Sequence, residues 1–336
     1  MKIRLGTFNL FQFVEPPYSW YIRKDKFNKL QWLEKIQWIK NQISQMDCDV
    51  IGFQEVFSRS ALKELVNDLG FKYFETTDIA KTSKENSNIY ISTTVAIASK
   101  FPISHIQDVK IHIPSIKKHN YEGFFKFARI PIKATIILPN EQEVLVYVCH
   151  LKSNRLNEFE YSFNQNDSLE HKKNLVDESL KNKYSSSLKQ RLCETSSLFF
   201  DIKKEKNKPC VLLCDLNDKE YSITIDALCN NNYHDEKRKE SLILHDANNQ
   251  YKKTIYNPHP EQKEIKRTPT SFFAGKGNVL DYIFLSKEFN KKNKNAIAEV
   301  TNYTVYNKHL IENPDGSILK SDHAQVVCEL TFKNSF

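Results

Sequence analysis

At 336 residues, 40 % apolar and 12 % aromatic, the chain can bury a large core and lacks the composition of a disordered segment. Its 49 Lys and Arg against 41 Asp and Glu leave a formal charge of +8, which favours polyanionic partners. Seven glycines without a GxGxxG or GxxxxGK[ST] string argue against a dinucleotide or ATP loop, and seven cysteines without a CxxC pair argue for reduced thiols and against structural zinc.

No run reaches the ~18 apolar residues of a membrane span, so no stable membrane insertion is expected. Met1 and Lys2 lead straight into a strand without an apolar signal core, which points to the cytoplasm and leaves only export by a non-classical route. Nothing in the pattern signals an oligomer.

Residues 3–8 read as a buried strand. An aromatic loop with Pro16, Pro17, Tyr18 and Trp20 follows, then a helix over 25–45 with Leu30, Leu33, Ile36, Ile39 and Ile43 on one face. Trp32 and Trp38 on that helix suit packing against a sheet better than base stacking. Residues 49–54 read as a second strand, and 60–69 as a helix that Gly70 ends.

From Tyr73 the pattern becomes β-rich, with strands over 93–99, 106–113, 123–138 and 144–150. Pro139 and Asn140 break the last two into a hairpin, which makes that pair antiparallel. The polar stretch after Leu156 reads as a surface excursion at about 154–183. Helical spacing returns over 184–204 through Leu188, Leu192, Leu198 and Ile202, followed by a strand at 210–214. A second excursion, rich in Lys, Pro and Asn, covers about 248–270; strands at 278–285 and 324–332 close the chain, which is expected to form one domain over 1–336.

Several of these buried strands end in polar groups: Asn9, Glu55, His150, Asp215 with Asn217, Asp281, and Asp322 with His323 beside the final strand. Ending apolar runs in carboxylates, imidazoles and carboxamides costs stability unless the groups meet. Oxygen donors such as Glu55, Asp322 and Asn9 suit a hard cation, Mg²⁺ first and Mn²⁺ second, whereas catalytic zinc would want more His or Cys. Together the set supplies what phosphodiester hydrolysis requires: an activated water, charge neutralisation and help for the departing alkoxide.

The strings GTFNL, DVIGFQEV, VAIASKFPI, FARIPIKATI, VCHLKSN, LLCDLND, LDYIFLS and SDHAQVV, in this order, resemble the endonuclease/exonuclease/phosphatase superfamily, from residue 5 to about 330. The resemblance implies a four-layer α/β sandwich, two mainly antiparallel sheets face to face with helices outside, as in deoxyribonuclease I. It places Glu55 on the metal with Asn9 and Asp322 completing or supporting the coordination, and Asp281 on His323. Asp215 would orient or deprotonate water, Asn217 and Arg129 would hold phosphate, and His150 would protonate the leaving oxygen.

His150 distinguishes the chain from abasic-site endonucleases, which carry Tyr there, and TSFFAGKGNVLDY lacks their Trp-containing segment. The resemblance thus implies a Mg²⁺-dependent endonuclease acting on DNA or RNA. The alternative is a phosphatase or phospholipase C-type hydrolase of inositol phosphates or sphingomyelin, although the inositol phosphatases' PSWCDR-like string is missing. A non-catalytic binding module of the same fold is disfavoured by the complete polar set.

Overall fold

In the computed structural model, all residues are described except 23–24, 156, 159, 183–184, 206–207, 237, 252–266, 313–317 and 334–336. Two six-stranded sheets carry the chain. The strands are β1 (Lys2–Phe13), β2 (Val50–Val56), β3 (Tyr73–Glu75), β4 (Thr94–Ser99), β5 (Ile103–Asp108), β6 (Ile132–Ile137), β7 (Glu143–His150), β8 (Cys210–Asp215), β9 (His245–Asp246), β10 (Asp281–Leu285), β11 (Ala298–Tyr306) and β12 (Gln325–Phe332). Sheet one runs β11-β12-β1-β2-β4-β3 and sheet two β9-β10-β8-β7-β6-β5. Both are mainly antiparallel. The parallel pairs are β1 with β2 and β7 with β8, and they lie in the middle of their sheets.

Each central strand is apolar on both faces, as a buried strand must be. The inward residues Leu5, Val50, Val146, Val148, Val211, Leu213, Ile283 and Val326 form one core between the sheets. The outward residues of sheet one pack on helices α1 (Lys29–Met46) and α2 (Arg59–Asp68). After α3 (Ile113–Lys118) and α4 (Leu169–Lys181), helices α5 (Ser186–Lys204) and α6 (Ile223–Cys229) cover sheet two through Leu198, Ile202 and Leu228. The result is four layers. Gly52 sets how close the sheets come at the centre, because a Cβ there would meet Leu213 Cβ at 2.9 Å and Val148 Cγ1 at 3.0 Å.

Several local expectations change. On α1 the buried stripe is Trp32, Lys35, Ile39, Ile43 and Met46, whereas Leu30 and Leu33 are exposed. Trp32 packs on Phe13 with ring centroids 4.9 Å apart and Trp38 meets Phe8 edge-on, so both tryptophans join helix to sheet. Strand β5 occupies 103–108 and not 106–113, and only 132–137 of the 123–138 run is strand.

In the segment before Pro131, Phe125 and Phe127 alternate inward without a β partner because α5 takes up the backbone: Gln190 donates to Lys126 O and Glu194 Oε1 accepts from Ala128 N. The polar stretch after Leu156 contains α4, whose Val176 is buried against Leu188 and Ile223. Most of the expected 248–270 excursion lies outside the described residues, as its 252–266 portion shows. All seven cysteines are free and buried. No helix among the described residues is long and apolar enough to cross a membrane.

Candidate active site

The inter-sheet layer turns polar at one end. Along β7 the inward positions run Val146, Val148, His150; along β8 they run Val211, Leu213, Asp215; β10 enters at Asp281 before Ile283. Register makes these endings neighbours, since Asp215 pairs with His150 on one side and with Asp281 on the other. Sheet one contributes Asn9 from β1, and the turn before β12 contributes His323. Asp215, Asp281 and Asn9 are fully buried, while His150 and His323 are 2 % and 7 % exposed.

Hydrogen bonds join the row. Asp281 Oδ2 lies 2.8 Å from His323 Nδ1, so Nε2 is the imidazole nitrogen left for a substrate. Asp215 Oδ2 accepts from Asn9 Nδ2 at 3.0 Å and lies 3.4 Å from His150 Nε2 and 3.9 Å from His323 Nδ1. Its Oδ1 accepts from the Asn217 backbone at 2.8 Å. The turn at Ser321 is fastened to β1 within sheet one: its hydroxyl donates to Asn9 O at 2.6 Å and accepts from His323 N at 3.0 Å. Thr270 performs the matching task for Asp281, accepting from Leu280 N and Asp281 N, while its carbonyl accepts from Ala324 N. Thr270 offers no sequence signal of this role.

Burial and charge then set the protonation states. Burial alone would discharge His323, but Asp281 and Asp215 beside it hold its imidazolium well above the usual range. Asp215 is pushed up to about 6, chiefly by burial, with Asp281 adding to the rise and His323 opposing it. His150 is kept neutral by burial and by the positive charges of Arg129, His323 and Lys152. Two polar atoms in this row, His150 Nδ1 and Asp281 Oδ1, are buried without a partner among the described residues.

One flank is acidic. Glu55 sits at a register break in β2 with φ +58°, a left-handed conformation that costs a non-glycine residue on the order of 1 kcal/mol or more and re-aims the side chain. Gln12 N holds one carboxylate oxygen, Oε2, at 2.9 Å. Asp322 is exposed on its turn. Both carboxylates act on Lys35, a lysine buried on the inner face of α1, whose ammonium donates to Ile318 O at 3.0 Å and lies over the Phe11 and Phe27 rings. Burial pulls Lys35 down to about 7 against the pull of Glu55 and Asp322. Its place between Trp32 and Ile39 carries no sequence signal, because the apolar repeat there runs through Leu30, Leu33 and Ile36.

The other flank is basic. Arg129 Nη1 and Asn217 Nδ2 both donate to Leu151 O, at 2.9 and 3.1 Å, which sets guanidinium and carboxamide side by side. Asn217 has φ +51°. Arg191, fully buried on α5, donates from Nη2 to both Glu160 oxygens and from Nη1 to Lys152 O and Asn154 Oδ1, with Asp218 3.6 Å from its Nε. It ties the loops after β7 and β8 to one helix.

Thus Asn9, His150, Asp215, Asn217, Asp281 and His323 form one connected set, with Arg129 joined through Leu151. Among the described residues, Asp215, Asp281 and His323 are the one group of three whose ligand atoms all lie within 4.8 Å of one another. Glu55 and Asp322 are outside that group, on the acidic flank beside it, where the Asp322 charge is felt by His323 and Asp215. Hard carboxylate oxygens there, one exposed and one with Oε1 left over, fit a magnesium-type cation better than a soft one.

A model described as the Endonuclease/Exonuclease/phosphatase family matches residues 6–323. No curated protein matches the chain by sequence. Among solved structures, the human Nocturnin catalytic domain with bound sulfate is 15 % identical, with TM-score 0.58, covering 99 % of this chain and 94 % of that one. A humanized D. rerio TDP2 carrying 14 mutations is 11 % identical, with TM-score 0.55 and coverage of 98 % and 99 %. D. rerio TDP2 complexed with a single-strand DNA product matches at 11 % identity and TM-score 0.53, with coverage of 98 % and 99 %. At such identities these likenesses speak to the fold.

Proposed function

This chain belongs to the endonuclease/exonuclease/phosphatase family, whose members hydrolyse phosphoester bonds, and on that premise we propose that it is a divalent-metal-dependent phosphodiesterase cleaving DNA or RNA internally. The observation that carries the proposal is the row Asp281, His323, Asp215, in which one imidazolium is held between two buried carboxylates. Such a group has a proton to give and a fixed direction in which to give it.

Asp215, raised toward neutrality and oriented by Asn9 and the Asn217 amide, is the group suited to take a proton from the attacking water. The water oxygen bonds to phosphorus, the ester P–O bond breaks, and the departing oxygen takes a proton. His323 Nε2 is the better source of that proton, because His150 is held neutral. A neutral His150 instead offers an N–H to a phosphoryl oxygen, beside the Asn217 carboxamide and the Arg129 guanidinium. Glu55 and Asp322 would hold the metal, with Asn9, fixed by its bond to Asp215, supporting the site; Mg²⁺, or Mn²⁺ in its place, supplies charge neutralisation at the phosphoryl oxygens when bound. The net positive charge and the DNA product bound to the D. rerio TDP2 neighbour support a nucleic-acid substrate.

The test is a substrate panel of plasmid DNA, single-stranded DNA, RNA, sphingomyelin and a phosphoinositide, each with Mg²⁺ and with EDTA. Nucleic acid should be cut only with the metal, and Asp215→Asn should lower kcat by roughly 10³-fold or more without loss of the folded signal. Turnover of the lipids alone would sink the nuclease reading and leave a lipid phosphodiesterase. Asp215→Asn activity within tenfold of wild type would remove Asp215 from the mechanism.

A further inference from the structure

Beside Arg129 opens a cavity of about 580 Å³, walled by the 121–129 segment, residues 91–93, the loop after β7 and the first turn of α5. Five cations line it: Lys126, Arg129, Lys152, Arg155 and Lys189. Among the described residues only Arg155 has a carboxylate within 4.0 Å, Glu158 at 3.9 Å. The crowding is felt, since Lys152 is driven down first by burial and then by Arg129 and Arg155. Glu122 is an acid in the same lining, and Glu194 and Glu158 offset part of the crowding at Lys152, so the concavity holds an excess of positive charge that destabilises the free protein and that a bound polyanion relieves.

Two further features point to a ligand. The Ser187 hydroxyl, on a residue 1 % exposed, lines the cavity with no hydrogen-bond partner among the described residues. Phe124 lines the cavity 89 % exposed, which is poor placement for packing and good placement for stacking, while Tyr21 in the same lining is 49 % exposed and meets Phe57 edge-on. The cavity joins the catalytic row through the Leu151 carbonyl shared by Arg129 and Asn217.

Resting on the nuclease reading above, we propose that this cavity is a second phosphate subsite for an unpaired nucleic-acid strand, holding the phosphate next to the scissile one while Phe124 stacks on a base. A concavity of small-ligand size admits a strand with splayed bases and excludes a paired duplex. It also works against a substrate whose group beyond the scissile phosphate is cationic, as choline is.

The experiment measures binding of single-stranded and duplex 12-mers to the inactive Asp215→Asn protein across a salt series, then repeats it with Lys126→Met/Lys189→Met and with Phe124→Ser added. The double lysine change should weaken single-strand binding by about tenfold and lower the salt slope by about 0.7 for each phosphate that is no longer neutralised. Phe124→Ser should weaken it by about fivefold or more, without changing the slope. Unchanged affinity and slope in the lysine variant, in an enzyme that does cut nucleic acid, would overturn the subsite and leave the nuclease reading standing. Duplex bound as tightly as single strand would overturn the unpaired-strand claim. If wild type neither binds nor cuts nucleic acid, both readings fall together.

Discussion

Lys35 carries more consequence than its place in a helix suggests. A buried ammonium near two carboxylates presets positive charge where the metal is proposed to bind, so it competes with the metal for Glu55 and Asp322. Lys35→Met should therefore lower the Mg²⁺ concentration giving half-maximal activity by roughly threefold to tenfold. A titration of rate against Mg²⁺ decides this, and an increased requirement would show that Lys35 supports the site by holding Ile318. The strand-end polar residues were legible because side chains alternate, so every second residue of a buried run shares the core-facing side with Asp215 or His150. Lys35, Thr270 and Arg191 were not legible, because a buried lysine, threonine or arginine declares its partners only once distant segments meet.

At the level of elements, the spacing of the sheets at Gly52 controls the row directly beyond it, since Val148 and Leu213 are each two residues from His150 and Asp215. Gly52→Ala should cost about 1–3 kcal/mol by overpacking and also reduce kcat, because the displaced strands are those bearing the reactive groups. Thermal melts read beside kcat would show this; a lowered Tm with an unaltered rate would mean that the strand ends do not follow the sheet spacing. The central strands and the hairpin across Pro139 and Asn140 are readable from apolar runs and turn residues, whereas β11 is not, because most of its residues are only half-buried. The 123–131 stretch was not, since alternating Phe125 and Phe127 look like strand until the side chains of Gln190 and Glu194 are seen satisfying its backbone. The α1 face departs from the apolar pattern for a related reason: Leu30 and Leu33 carry the apolar signal but are exposed to solvent.

Across the whole molecule, acid should act away from the site as well as within it. His119 is held down at about 4 by burial, with Lys118, His234 and Lys189 adding to this; burial likewise holds His234 at about 4. Both lie below the ordinary 6.5, so the unfolded chain binds more protons than the folded one between about pH 6.5 and 4, and stability falls as pH drops through that window. For His119, which is 9 % exposed, the loss is on the order of 3 kcal/mol. Urea melts at pH 7 and pH 4.5 should show a smaller drop in His119→Gln than in wild type; equal drops would locate the acid sensitivity elsewhere.

The polar row and the apolar core are successive positions on the same inward faces of the same strands. The machinery for bond breaking therefore has no mounting of its own that could be exchanged or retuned without disturbing what keeps the chain folded. The cationic cavity is different, because its walls are loop segments and a helix end outside the sheets. Variation among descendants of this chain should accordingly accumulate at Phe124, Lys126 and Lys189 and alter which molecule is cut, while the way it is cut stays fixed.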